Sequence, residues 1–147
     1  MPTHVFVYGT LKTGFPNHAV NTGRRVQGTY RTQMAYPLYV VKLHNEDRAP
    51  WLLNNPGEGF QVYGEVFEVD TTTLQAMDTL EELGQHCGYE RVEIVLESVH
   101  PFNTTRSLLS AYAYLKQPHQ MAVCLAKEGP FPAYTLALAA GYWLAAA

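Results

Sequence analysis

A strand-like stretch with glycine at its centre constrains this chain most. Along Gln61-Val62-Tyr63-Gly64-Glu65-Val66-Phe67-Glu68-Val69, one face carries Val62, Gly64, Val66 and Glu68 and the other Tyr63, Glu65, Phe67 and Val69. Glycine inside a strand signals either the close approach of another backbone or a bend in a curled sheet. A small barrel needs such bends. Further strand-like stretches cover residues 5–8, 25–41 with a bend at Pro37, 89–97 and 108–115. In the last, Tyr112 and Tyr114 share one face and small alanines the other. Residues 100–106, with Pro101 and Asn103, read as a hairpin loop. The clearest helix spans residues 74–83, capped by Asp70-Thr71-Thr72-Thr73 and stopped by Gly84. Strands in series around one helix, with no repeat or linker to divide residues 1–147, predict a single α+β domain built on a small mixed barrel or a strongly curled sheet.

Composition excludes several classes of function. Hydrophobic residues make up 47% and charged residues 16%, as in a globular protein, and a net charge of −3 without a basic patch gives no basis for nucleic-acid binding. Cys87 and Cys124 lack metal-ligand spacing and read as free thiols, which suggests a reducing, cytosolic compartment. The N-terminus enters strand pattern without the marks of a signal peptide. Residues 133–147 carry no charge but fall short of the roughly 20 residues a membrane span needs. They are expected to form a buried or interface helix, weakened by Gly141, through which copies of the chain could self-associate.

Two stretches can carry chemistry. Val5-Phe6-Val7-Tyr8 runs into Gly9-Thr10-Leu11-Lys12-Thr13-Gly14, a loop whose glycines can take positive φ and whose amides can converge on a carboxylate or an oxyanion. It also fits a tight turn between core elements. Its spacing matches neither a P-loop nor a dinucleotide fingerprint. On the helix, Leu74, Met77, Asp78 and Glu81 share one stripe, so two carboxylates stand beside apolar neighbours. Either acid can instead pair with a strand residue such as Arg91. Glu82 falls in a polar sector and reads as solvated. His18, behind a helix cap at Asn17, either reaches a pocket or faces solvent.

Several segments together resemble the gamma-glutamylcyclotransferase superfamily, also called AIG2-like: Val5-Phe6-Val7-Tyr8-Gly9-Thr10-Leu11-Lys12, Pro16-Asn17-His18, Tyr36-Pro37-Leu38, Pro50-Trp51-Leu52-Leu53, residues 64–70 and Met77-Asp78-Thr79-Leu80-Glu81. The resemblance covers residues 3–114 and is strongest to the branch that acts on γ-glutamyl amines. It implies a small mixed β-barrel flanked by helices, with neither metal nor organic cofactor. It makes Tyr8, Gly9, Thr10 and Leu11 the substrate loop, Glu81 the catalytic acid/base, and Arg91 and Tyr114 pocket positions. The implied partner is a small-molecule γ-glutamyl substrate, converted to 5-oxoproline and a free amine when its α-amino group attacks its own γ-carbonyl. Alternatives are a cyclotransferase for γ-glutamyl α-amino acids and a non-catalytic carboxylate-binding module of the same fold.

Overall fold

In the computed structural model, which describes residues 3–85, 87–100 and 106–145, eleven strands and two α-helices are formed. In chain order these are β1 (Thr3–Val7), β2 (Arg24–Arg25), β3 (Thr29–Thr32), β4 (Leu38–Lys42), β5 (Glu46–Asp47), β6 (Ala49–Leu52), β7 (Tyr63–Val69), α1 (Thr71–Leu80), β8 (Glu90–Val99), β9 (Leu108–Leu115), β10 (Ala126–Glu128), α2 (Leu136–Ala139) and β11 (Trp143–Leu144). The main sheet runs β1-β9-β8-β3-β7, and β1 then pairs with β7, closing the barrel. The β1–β9 contact is parallel and the other pairings are antiparallel, so the barrel is mixed. A three-stranded sheet, β10-β4-β6, and a β5–β11 ribbon stand beside it.

Period-two alternation decides which side chains fill the barrel. Phe6 of β1, Val66 of β7, Leu96 of β8 and Ala113 and Leu115 of β9 join one core cluster. The opposite faces, with Val5, Val7, Phe67, Val69 and Tyr114, pack with Met77 of α1. Gly64 is required by close approach: a Cβ there would stand 2.5 Å from the Val7 carbonyl oxygen and 2.7 Å from the Phe6 ring. At Gly9 the reason differs from the one expected, because Gly9 does not take positive φ. A Cβ at Gly9 would meet Pro50 Cγ at 2.5 Å, whereas Gly14 does take φ of 83°.

Helix α1 begins where expected, with the Asp70 carboxylate accepting from the Thr73 amide at 2.7 Å. It ends earlier. Leu80 is the last helical residue, Glu81 is the C-cap, and Glu82 takes φ of 55°. The Glu82 amide donates to Thr79 O at 3.2 Å and the Leu83 amide to Asp78 O at 2.9 Å, the paired bonds of a Schellman ending, here with glutamate where glycine is usual.

Two further expectations are corrected. Asn17 precedes the short 3₁₀ helix His18–Val20 without capping it; its side-chain amide donates to Thr10 Oγ1 and to the Tyr142 hydroxyl. The tail is not one apolar helix either. Helix α2 lasts one turn, Gly141 turns the chain with φ of 85°, and β11 pairs with β5, so self-association loses the helix it would use. Most of the loop expected over residues 100–106 lies outside the described residues. Among the described residues, no helix is long and apolar enough to cross a membrane.

Candidate active site

A cavity of about 390 Å³ lies between the loop after β1, the end of α1, the β5–β6 region and the tail. Tyr8, Gly9, Thr10 and Leu11 line it, as do Glu81 and Tyr114. Arg91 does not. Six of the seven residues expected at the site therefore share one space.

The loop keeps its carbonyls occupied. Gly9 O accepts from the Lys12 amide at 3.1 Å, Thr10 O from the Asn17 amide at 2.9 Å, and Leu11 O from Asn21 Nδ2 at 3.3 Å. His18 Nδ1 lies 3.1 Å from Leu11 O, so His18 braces the loop from outside the cavity lining. The amides of Gly9, Thr10 and Leu11, by contrast, donate to no acceptor among the described residues. Thr10 and Leu11 are buried, and buried unpaired N–H groups are rare. Three free amides in succession on a cavity wall are able to accept a carboxylate or a developing oxyanion.

Asp78 and Glu81 leave α1 for different surroundings. Asp78 is held in place: Arg91 donates to one carboxylate oxygen and the Tyr114 hydroxyl to the other, each at 2.5 Å. Tyr8 in turn donates to the Tyr114 carbonyl, joining loop, strand β9 and helix. Arg91 also lies over the Tyr112 ring at 5.3 Å and is linked to the cavity wall through Asp78 and then Tyr114. Glu81 has no ion pair or side-chain hydrogen bond among the described residues. Burial, and then the neighbouring Glu46 and Glu82 charges, push its carboxyl up from 4.5 to about 8, with Lys116 pulling it back.

Glu46, Tyr142, Tyr89 and Lys116 are among the cavity residues that were not singled out from the sequence. Glu46, inside the polar and charged run of residues 44–48, sits on β5 and accepts from the Tyr142 hydroxyl at 2.9 Å; burial raises its pKa. Tyr142 comes from the tail and also accepts from Asn17 at 3.1 Å, which links Glu46 to Thr10. Tyr89 donates to Pro50 O at 2.8 Å. Lys116 is 3% exposed, and its one available signal was a lone lysine at the end of an apolar strand. Among the described residues no group of three His, Cys, Asp or Glu side chains is placed to hold a metal ion.

The family model described as "Gamma-glutamyl cyclotransferase, AIG2-like" matches residues 5–136, spanning the loop, Glu81 and both site strands. The chain belongs to that family. A gamma-glutamylaminecyclotransferase from Bos taurus is 44% identical over 100 residues, 65% of this chain and 58% of its own length. Gamma-glutamylaminecyclotransferase C from Danio rerio is 38% identical over 118 residues, 77% of this chain and 74% of its own. The chain thus spans less than two thirds of the bovine relative's length. The crystal structure of an AIG2-like protein from Mus musculus superimposes with a TM-score of 0.71 and 28% identity, covering 91% of this chain and 88% of the mouse chain.

Proposed function

We propose that this AIG2-like chain, acting as one domain, is a cyclotransferase for γ-glutamyl amines such as ε-(γ-glutamyl)lysine. The reading rests on one arrangement: an unpaired, raised-pKa carboxyl shares a cavity with three successive unpaired amides. In a γ-glutamyl amide the α-amino group attacks the γ-carbonyl carbon, the new C–N bond closes a five-membered ring, and the bond to the departing amine breaks. The Glu81 carboxylate takes a proton from the attacking nitrogen and returns one to the leaving nitrogen, so no proton, water or electron is consumed overall. The products are 5-oxoproline and the amine, which makes the enzyme a carbon–nitrogen lyase. Neither metal nor organic cofactor is required by this chemistry.

The magnitudes fit. An α-amino group has a reference pKa near 7.7–8.0, and a carboxyl at about 8 is matched to it, so proton transfer between them is close to level. An ordinary carboxylate would be several units too weak. Holding the flexible glutamyl chain folded removes up to about 7–11 kcal/mol of the barrier to attack. The loop amides supply charge stabilisation as the carbonyl oxygen becomes negative. The two free thiols, Cys87 and Cys124, suit a reducing, cytosolic compartment.

Incubating the protein separately with ε-(γ-glutamyl)lysine and γ-glutamyl-alanine, and assaying 5-oxoproline, tests the reading. Faster release from the first compound is expected. Preference for γ-glutamyl-alanine would move the protein to the γ-glutamyl α-amino-acid class, and release from neither would favour a binding module.

A further inference from the structure

Lys116 is a cation in an unusual setting. It follows β9, is 3% exposed, and is the one lysine or arginine among the described residues that line the cavity. Its ammonium donates to the Cys87 carbonyl and lies over the rings of Trp51 and Tyr89, 4.4 and 4.3 Å from their centroids. It makes no ion pair with any described carboxylate. An ammonium has three N–H donors, and here only one meets an oxygen acceptor among the described residues while the others face aromatic rings. Beside it, the buried indole N–H of Trp51 also lacks a partner. Glu46, Glu81 and Glu82 act on the Lys116 ammonium through space without reaching ion-pair distance, and a buried ammonium with no carboxylate in direct contact can accept one from a ligand.

We propose that Lys116 receives a carboxylate of the substrate and so determines which γ-glutamyl compounds are accepted. The inference rests on the cyclotransferase reading above. Two carboxylates can fill the role: the α-carboxylate of the glutamyl group, or one on the departing amine, as in ε-(γ-glutamyl)lysine. A compact ammonium suits either, and the contact adds binding without taking part in proton transfer. Lys116 is accordingly a specificity residue, while Glu81 stays the acid/base.

The test compares wild type with Lys116→Met, which keeps the apolar stem against Trp51 and Tyr89, and with Lys116→Gln as a second variant should the first fold poorly. Three substrates are used: ε-(γ-glutamyl)lysine, γ-glutamyl-n-butylamine without the amine-side carboxylate, and 4-aminobutanoyl-n-butylamine without either carboxylate. The variant is expected to lose at least about tenfold in kcat/KM, mainly through KM, wherever the contacted carboxylate is present. A loss confined to ε-(γ-glutamyl)lysine assigns Lys116 to the amine side. A loss shared with γ-glutamyl-n-butylamine but absent from the aminobutanoyl compound assigns it to the glutamyl side. An equal loss on all three, or no loss, overturns the proposal. If wild type turns over none of them, the cyclotransferase reading fails separately, and calorimetric titration with glutarate decides for Lys116: binding abolished by Lys116→Met supports it, and binding unchanged or absent in wild type refutes it.

Discussion

Asp78 and Glu81 stand one helical turn apart, yet Asp78 is tied on both oxygens by Arg91 and Tyr114 while Glu81 meets the cavity without a comparable partner. The first carboxylate fixes the end of α1 against β8 and β9. That leaves the second oriented but chemically available. Burial without pairing raises a carboxyl's pKa, so one helix supplies both an anchor and the proposed base.

Replacing Arg91 with leucine should therefore act through Asp78. With about a quarter of its side chain exposed, the pair falls between surface and buried ion pairs, and its loss should cost about 1–2 kcal/mol of stability. Turnover should fall along with it as α1 loosens. Urea denaturation and steady-state kinetics measure both. A rise in KM with unchanged stability would instead make Arg91 a substrate contact.

At Gly9 the constraint is the Pro50 ring. Gly9→Val drives a branched side chain into Pro50, whose carbonyl holds Tyr89 and whose neighbour Trp51 lines the cavity. We expect kcat/KM to drop by at least about tenfold while circular dichroism stays native, because small misplacements at a reacting centre are expensive. A variant that turns over normally would put the anion receptor elsewhere.

Glu82 occupies a left-handed position that costs an L-residue about 1–2 kcal/mol. Its exposed side chain lies at the edge of the cavity, and no hydrogen bond among the described residues uses its carboxylate. Glu82→Gly should relieve the backbone and raise stability by up to about 1 kcal/mol, net of glycine's freedom when unfolded. A lower melting temperature for this variant would mean that the Glu82 side chain holds the helix end.

The pH dependence follows from Glu81. Its carboxyl binds a proton more tightly in the folded protein, at about 8, than at its ordinary 4.5, so the associated stability is complete below 4.5 and is lost as pH rises through about 8. Glu81→Gln removes that penalty. Its melting temperature should exceed that of wild type at high pH, and the gap should close toward about pH 5. Wild-type kcat/KM should fall as pH drops below about 8, since Glu81 and the substrate amine then both hold protons. A gap independent of pH would show that Glu81 is not perturbed by folding.

The barrel was legible in the sequence because each strand repeats every two residues and the bend at Gly64 is written in its identity. The stripe that carried Glu81 toward the interior was legible too, through Leu74 and Met77. The helix end was not, because nothing about Glu82 announces a left-handed backbone; Gly84, the apparent stop, lies two residues too late. The tail misled for another reason. An uncharged run reads as helix, but β11 forms through pairing with β5 about a hundred residues earlier, and Tyr142 enters the cavity with it. Such long-range contacts leave no local period to read. Glu46 was hidden in the same way, as a charge in a charged run.

Glu81→Gln tests the central claim most directly. Glutamine keeps the size and much of the hydrogen bonding of glutamate but cannot carry a proton between nitrogens. With ε-(γ-glutamyl)lysine as substrate, formation of 5-oxoproline should slow by about 10²–10⁴-fold, while the variant remains folded and still binds substrate in a calorimetric titration. Turnover of Glu81→Gln within a few-fold of wild type would contradict the account.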